Sequence, residues 1–167
     1  MNEGKEMRKL YEVLSGHPKA IVIHCADPRF QKAFQEFLKN ELNLSTGEYV
    51  PIAISGAIAS LTEPSNFPKE FKVVNDILTL FLDRHETIKT IILINHEDCK
   101  KYEAMKSALG RSFLKNFSDI VTRQKFDLQK VAGAIVKAAN LKKELRLFYA
   151  KFANTEHTKI EFEEVKM

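Results

Sequence analysis

Lys19-Ala20-Ile21-Val22-Ile23-His24-Cys25 runs directly into Ala26-Asp27-Pro28-Arg29, and this junction sets the architecture. Ala20 to Ile23 are apolar at consecutive positions rather than at alternate ones. A strand covered on both faces needs that pattern, whereas a strand with one wet face alternates. The polar residues beyond Cys25 end the strand and open a loop. Ile88 to Asn95 (IKTIILIN) repeats the arrangement and runs into His96-Glu97-Asp98-Cys99. Glu48 to Ile54 (EYVPIAI) is a further strand between them, followed by Ser55-Gly56-Ala57. Pro51 has no N–H to give to a ladder and places that strand at an edge or an end.

Helical periods fill the intervals. Phe30, Phe34, Phe37 and Leu38 put one apolar face on a helix over Arg29 to Leu42. Phe71, Val74, Ile77, Leu78, Phe81 and Leu82 recur at three and four, which predicts a helix over Lys69 to Glu86. A short segment covers Ile58 to Leu61, and a helix from Cys99 to Leu109 stops at Gly110. Phe113 to Asn140 supplies one or two more helices. Met1 to Ser15 reads as a polar N-terminal helix closed by Gly16 and Pro18. Glu144 to Phe152 (ELRLFYAKF) and Lys159 to Val165 (KIEFEEV) alternate, and Ala153 to Thr158 between them suits a hairpin. The expected fold is a single α/β domain over residues 1–167: three layers, α/β/α, around a mostly parallel sheet. Its C-terminal end carries an antiparallel edge strand or hairpin.

The chain has 167 residues, enough for one domain with a real core. Its 26 Lys and Arg stand among 22 Asp and Glu, so the net charge of +4 is dispersed and no nucleic-acid footprint is expected. The N-terminal stretch has Glu3, Lys5, Glu6, Arg8, Lys9 and Glu12 and does not resemble a signal peptide. No run of about 18 apolar residues is present to span a membrane. These features point to the cytoplasm, a reducing compartment where two thiols more often bind metal or catalyse than form a disulfide.

In a parallel sheet, sites form beyond the carboxyl ends of the strands. Cys25, Gly56 and His96 each fall at such an end and therefore at one edge. Cys25 and Cys99, the two cysteines of the chain, together with His96 make three ligands for a tetrahedral zinc. Three ligands leave one position open, as a catalytic zinc requires, and water there is acidified toward neutrality. Asp27 and Arg29 lie two and four residues past Cys25. A carboxylate so close orients the attacking water or swings onto the metal, and a guanidinium fork on Asp27 holds it off. Asp27 also suits a helix N-cap, with Pro28 at the first helical position. Backbone N–H groups near Gly56 offer a cradle for a small anion. His24 points to the face opposite Cys25 and reads as structural. His17, His85 and His157 look like surface residues, and Asp98 is expected to be exposed. The Phe30, Phe34 and Phe37 stripe reads as core or subunit contact.

Cys25-x-Asp27-x-Arg29, then Gly56-Ala57, then His96-x-x-Cys99, each after a strand and in this order, resemble the β-class carbonic anhydrases. The resemblance runs from about Lys19 to Lys101. It implies an α/β fold, zinc held by Cys25, His96 and Cys99, an Asp27–Arg29 dyad, and product oxygens received near Gly56 and Ala57. It further implies a homodimer or higher homo-oligomer, and reversible hydration of carbon dioxide to bicarbonate. Three features depart from the family pattern. Ala53-Ile54-Ser55 lacks the Arg and Asn that usually precede the Ala-Gly pair, Lys100 replaces the usual glycine, and Pro28 replaces the usual serine. These departures leave two other readings open: a zinc-binding protein on the same scaffold without hydratase activity, and a hydrolase of carbonyl sulfide or carbon disulfide.

Overall fold

The computed structural model describes residues 10–14, 16–139 and 143–167. Its strands are β1 (Ala20–Cys25), β2 (Tyr49–Ile54), β3 (Thr90–His96), β4 (Glu144–Phe152) and β5 (Ile160–Glu164). Its helices are α1 (Gln31–Asn40), α2 (Ala59–Thr62), α3 (Pro68–Arg84), α4 (Lys100–Leu109) and α5 (Ile120–Ala139). The strands form one sheet in the order β2-β1-β3-β4-β5. All neighbours are parallel except β4 and β5, which pair antiparallel. Pro51 lies on the edge strand β2, where its missing N–H leaves no inner ladder incomplete.

The consecutive apolar runs have the cause expected of them. Ile21, Ile23, Ile91 and Leu93 face one core with Val74 of α3 and Leu128 of α5. Ala20, Val22, Ile92 and Ile94 face the other with Phe34 and Leu38 of α1. Adjacent residues on one strand thus enter different cores, and both faces of the sheet are covered. The three-layer α/β arrangement with an antiparallel C-terminal edge is the one the sequence predicts. A third, smaller cluster encloses Cys25 and Cys99 with Ala57, Ala59, Tyr102, Met105 and Phe113.

Several elements differ from expectation. The helix expected over Met1 to Ser15 lies mostly outside the described residues, and Leu10–Leu14, which are described, form no helix. Helix α1 starts at Gln31 with Phe30 at its N-cap, because Asp27-Pro28-Arg29 are held in a turn of their own. Asp27 therefore caps no helix. The stretch expected to be helical from Phe113 becomes regular only at Ile120. There the Asp119 carboxylate accepts the Thr122 N–H at 2.7 Å and satisfies an orphan donor of the first turn. Among the described residues no helix is long and apolar enough to cross a membrane.

Candidate metal centre

Parallel pairing sets Ile23 beside Leu93 and Cys25 beside Ile54, so the ends of β1, β2 and β3 share one edge. Cys25 is the last residue of β1, His96 the last of β3, and Cys99 precedes the first turn of α4. The two sulfurs and a ring nitrogen of His96 all lie within 4.8 Å of one another, and the three residues are buried.

Local hydrogen bonding sets the chemistry of each donor. His96 Nδ1 lies 2.7 Å from the Glu97 carbonyl oxygen. A carbonyl accepts only, so Nδ1 carries the proton and Nε2 keeps its lone pair. The Phe30 ring packs 4.1 Å from the imidazole, centroid to centroid. Among buried side-chain nitrogens and oxygens of the described residues, His96 Nε2 is the one with no hydrogen-bond partner. A buried acceptor left so costs about 1–3 kcal/mol, unless an electron-pair acceptor takes its lone pair.

The thiols supply the complement. The hydrogen bond with Cys99 draws the Cys25 thiol down to about 4, with the Gly56 N–H assisting and burial opposing. The same pairing, reinforced by burial, pushes the Cys99 thiol up. Two adjacent buried thiolates repel, so the pair resists losing both protons. A divalent cation would relieve that repulsion and accept the His96 lone pair. Two sulfurs and one imidazole nitrogen suit zinc, so the residues present fit the ion.

Gly56 Cα cannot carry a side chain. Its φ is +78°, and a Cβ there would sit 2.5 Å from Lys101 Cγ and 2.7 Å from Lys101 Cβ. The Gly56 N–H donates to Cys25 Sγ at 3.3 Å, and the Ala57 N–H donates to the Ile54 carbonyl at 3.1 Å. Both amides expected to receive product oxygens are thus engaged inside the protein. Gly56 acts on the Cys25 sulfur, because the tight turn after β2 aims its N–H at the end of β1.

Asp27 and Arg29 meet as expected. The guanidinium donates from Nε to both carboxylate oxygens at 3.1 and 3.2 Å and from Nη2 at 2.7 Å. The Arg29 N–H adds a bond of 3.0 Å. This side-chain pairing holds the Asp27 carboxyl below the usual carboxylate range. Asp98 is the member of the site that sequence reasoning missed. It is half-buried, not exposed, and takes Arg29 Nη1 at 2.8 Å and Lys100 Nζ at 2.6 Å. Its φ of +53° turns the loop so that its own carbonyl oxygen also accepts Arg29 Nη2, at 3.2 Å. Arg29 therefore clamps the loop after β1 to the loop after β3. No local pattern announces this, since the partners are 69 positions apart.

An open cleft of about 670 Å³ reaches this cluster, lined by Cys25, Asp27, Arg29, Ser55, Cys99 and Lys101, among others. His24 lies on the other side of the sheet end. It is buried, its Nδ1 is 3.0 Å from the Cys25 carbonyl oxygen, and it lines a separate pocket of about 330 Å³.

Solved structures match this architecture. The chain superposes on a tetrameric β-carbonic anhydrase of Sordaria macrospora with a TM-score of 0.53 and 13% identity, covering 92% of this chain and 83% of that one. The chain has a β-carbonic-anhydrase-like fold. The β-carbonic anhydrase CafA of Aspergillus fumigatus matches at a TM-score of 0.52 and 12% identity, over 91% of this chain and 78% of that one. A carbonic anhydrase of Glaciozyma antarctica matches at 0.50 and 13%, over 92% and 85%. No protein-family profile matches the sequence. No curated protein matches it either. Within this β-carbonic-anhydrase-like fold, the Cys25–His96–Cys99 group lies at the carboxyl end of the central strands.

Proposed function

We propose that the protein is a zinc enzyme that reversibly hydrates carbon dioxide to bicarbonate, with Cys25, His96 and Cys99 as the metal ligands. The observation that carries this reading is the buried, unpartnered His96 Nε2 in a group whose ring nitrogen and two cysteine sulfurs lie within 4.8 Å of one another. The fold likeness to β-carbonic anhydrases supports it. Zinc held by Cys25, His96 and Cys99 would supply Lewis-acid charge and acidify the attacking water. The other roles belong to side chains. Asp27 stays ionised, so it is a hydrogen-bond acceptor that orients the attacking water and a poor base for storing its proton. Arg29 fixes the carboxylate through three contacts, and Asp98 with Lys100 fixes Arg29. The Gly56 N–H stabilises the Cys25 thiolate. The proton leaves to buffer through the open cleft. We place the enzyme in the cytoplasm as a single-domain subunit of a homo-oligomer, a reading supported by the tetrameric Sordaria neighbour.

The test is metal analysis followed by stopped-flow carbon dioxide hydration on zinc-loaded protein. One zinc per chain and a rate well above buffer are expected. Stoichiometric zinc without acceleration would overturn the hydratase reading, and hydrogen sulfide release from carbonyl sulfide in that case would assign the sulfur substrate.

A further inference from the structure

Joined to the His96 segment is a buried polar network that does not line the cleft and that the roles above do not use. Gln124 of α5 donates from Nε2 to the His96 carbonyl oxygen at 2.9 Å. Tyr149 of β4 donates its hydroxyl to Gln124 Oε1 at 2.9 Å. The His96 carbonyl decides the amide's orientation: it only accepts, so Nε2 faces it and Oε1 is left to accept the Tyr149 hydroxyl. The Gln124 main-chain carbonyl accepts Asn95 Nδ2 at 3.1 Å, and Asn95 Nδ2 also reaches the Tyr102 hydroxyl at 3.2 Å. Tyr102 lies three residues past Cys99 and donates to Asp127 Oδ2 at 3.1 Å. Asp127 in turn is clasped by Arg123 Nε at 2.9 and 3.0 Å.

Gln124 thus sits between both ligand-bearing segments on β3 and α4. Its side chain holds the carbonyl of His96, and its main chain holds Asn95, which bonds Tyr102 on the first turn after Cys99. The imidazole is fixed from its other side by the Nδ1–H bond to the Glu97 oxygen, and the Glu97 N–H is bound to the Ala150 oxygen at 2.8 Å. Gln124, Asn95 and Tyr102 are all buried to 1% exposure or less, so no solvent replaces a bond that is lost. Hydrophobic residues of similar volume would fill this space at lower desolvation cost, and a buried polar cluster specifies geometry instead.

We propose that Gln124 is a positioning residue for the metal centre: from α5 it sets the spacing and orientation of His96 and Cys99, with Tyr149 locking its amide. The proposal rests on the metal-ligand reading above. Partners beyond the ligands that orient a metal-binding histidine typically change metal affinity 10–100-fold when removed.

The test uses cobalt(II) as the probe, titrated into the full chain and followed by thiolate charge-transfer and visible ligand-field absorption. Gln124→Met keeps the volume and removes the donor. It should weaken cobalt binding about tenfold or more and shift the visible bands. Tyr149→Phe, which frees the amide without deleting it, should produce a smaller change in the same direction. Leu128→Ala is the control for destabilisation: Leu128 is buried on the same helix and packs in the apolar core. It should lower the melting temperature while leaving cobalt affinity and bands unchanged. Wild-type affinity and bands in Gln124→Met would overturn the proposal, as would an equal affinity loss in Leu128→Ala. If Gln124→Met does not fold, unchanged affinity and bands in Tyr149→Phe overturn it. Wild-type protein that takes up no cobalt would overturn the metal-ligand reading itself.

Discussion

Replacing Arg29 by alanine should separate the proposed metal binding from the proposed catalysis. The guanidinium makes three contacts to the Asp27 carboxylate, at 3.1, 3.2 and 2.7 Å, and one ion pair to Asp98, at 2.8 Å. Asp27 is 12% exposed and Arg29 is 44% exposed. A hydrogen bond to a charged group contributes about 1.5–3 kcal/mol, and half-exposure of the arginine discounts this to about 1–2. The Asp98 pair joins a half-exposed arginine to a half-buried carboxylate still reached by solvent, and adds about 0–1 kcal/mol. The variant should therefore lose about 1–3 kcal/mol, a fall in melting temperature of about 3–9 °C for a chain of this size. Zinc content should hold at one per chain, since no hydrogen bond joins Arg29 to Cys25, His96 or Cys99 among the described residues. Activity should fall much further than stability. A carboxylate freed by even 1 Å costs about 100-fold in a positioned reaction. Arg29→Lys keeps the charge and loses the fork, so it should fall between the two. Stopped-flow hydration with zinc quantified in the same samples is the assay. Stoichiometric zinc with wild-type turnover in Arg29→Ala would refute the positioning role of the clamp.

Other outcomes follow from the same geometry. Gly56→Ala forces a side chain into left-handed backbone against Lys101, and should cost about 2–3 kcal/mol in thermal unfolding. It should also weaken metal binding by disturbing the N–H bond to Cys25. Zinc at 1,000 times its Kd should stabilise the chain by about 4 kcal/mol, or about 10 °C; a chelator should reverse this, and Cys99→Ala should abolish it. Asp27 and Asp98 are both held below the ordinary carboxylate range, Asp27 chiefly by Arg29 and Asp98 chiefly by Lys100. Their contribution is complete above about pH 4 and is lost as the pH falls through their lowered folded values. Acid unfolding of the metal-free protein, followed by circular dichroism, should therefore steepen below about pH 4, and less so in Arg29→Ala.

The layers of this fold are legible because burial on two faces demands consecutive apolar residues, and Ala20–Ile23 and Ile91–Ile94 meet that demand locally. The Cys25–His96–Cys99 group was legible for a related reason: a strand that ends in polar, metal-binding residue types marks a candidate site at the sheet edge. Hydrogen-bond partners across the chain were not. Asp98 gave no sign of its bond to Arg29, 69 positions away, until β1 and β3 lay side by side. The amides of Gly56 and Ala57 looked free in sequence, and the tight turn assigned them to Cys25 Sγ and the Ile54 oxygen. Gln124 was one polar residue on a helix until packing buried it against His96. Residue types and their period, set by covalent order and hydrophobicity, determined the strands and the donors; which donor each N–H and carboxylate meets was decided by the tertiary structure, because directional bonds need a fixed distance that only packing supplies.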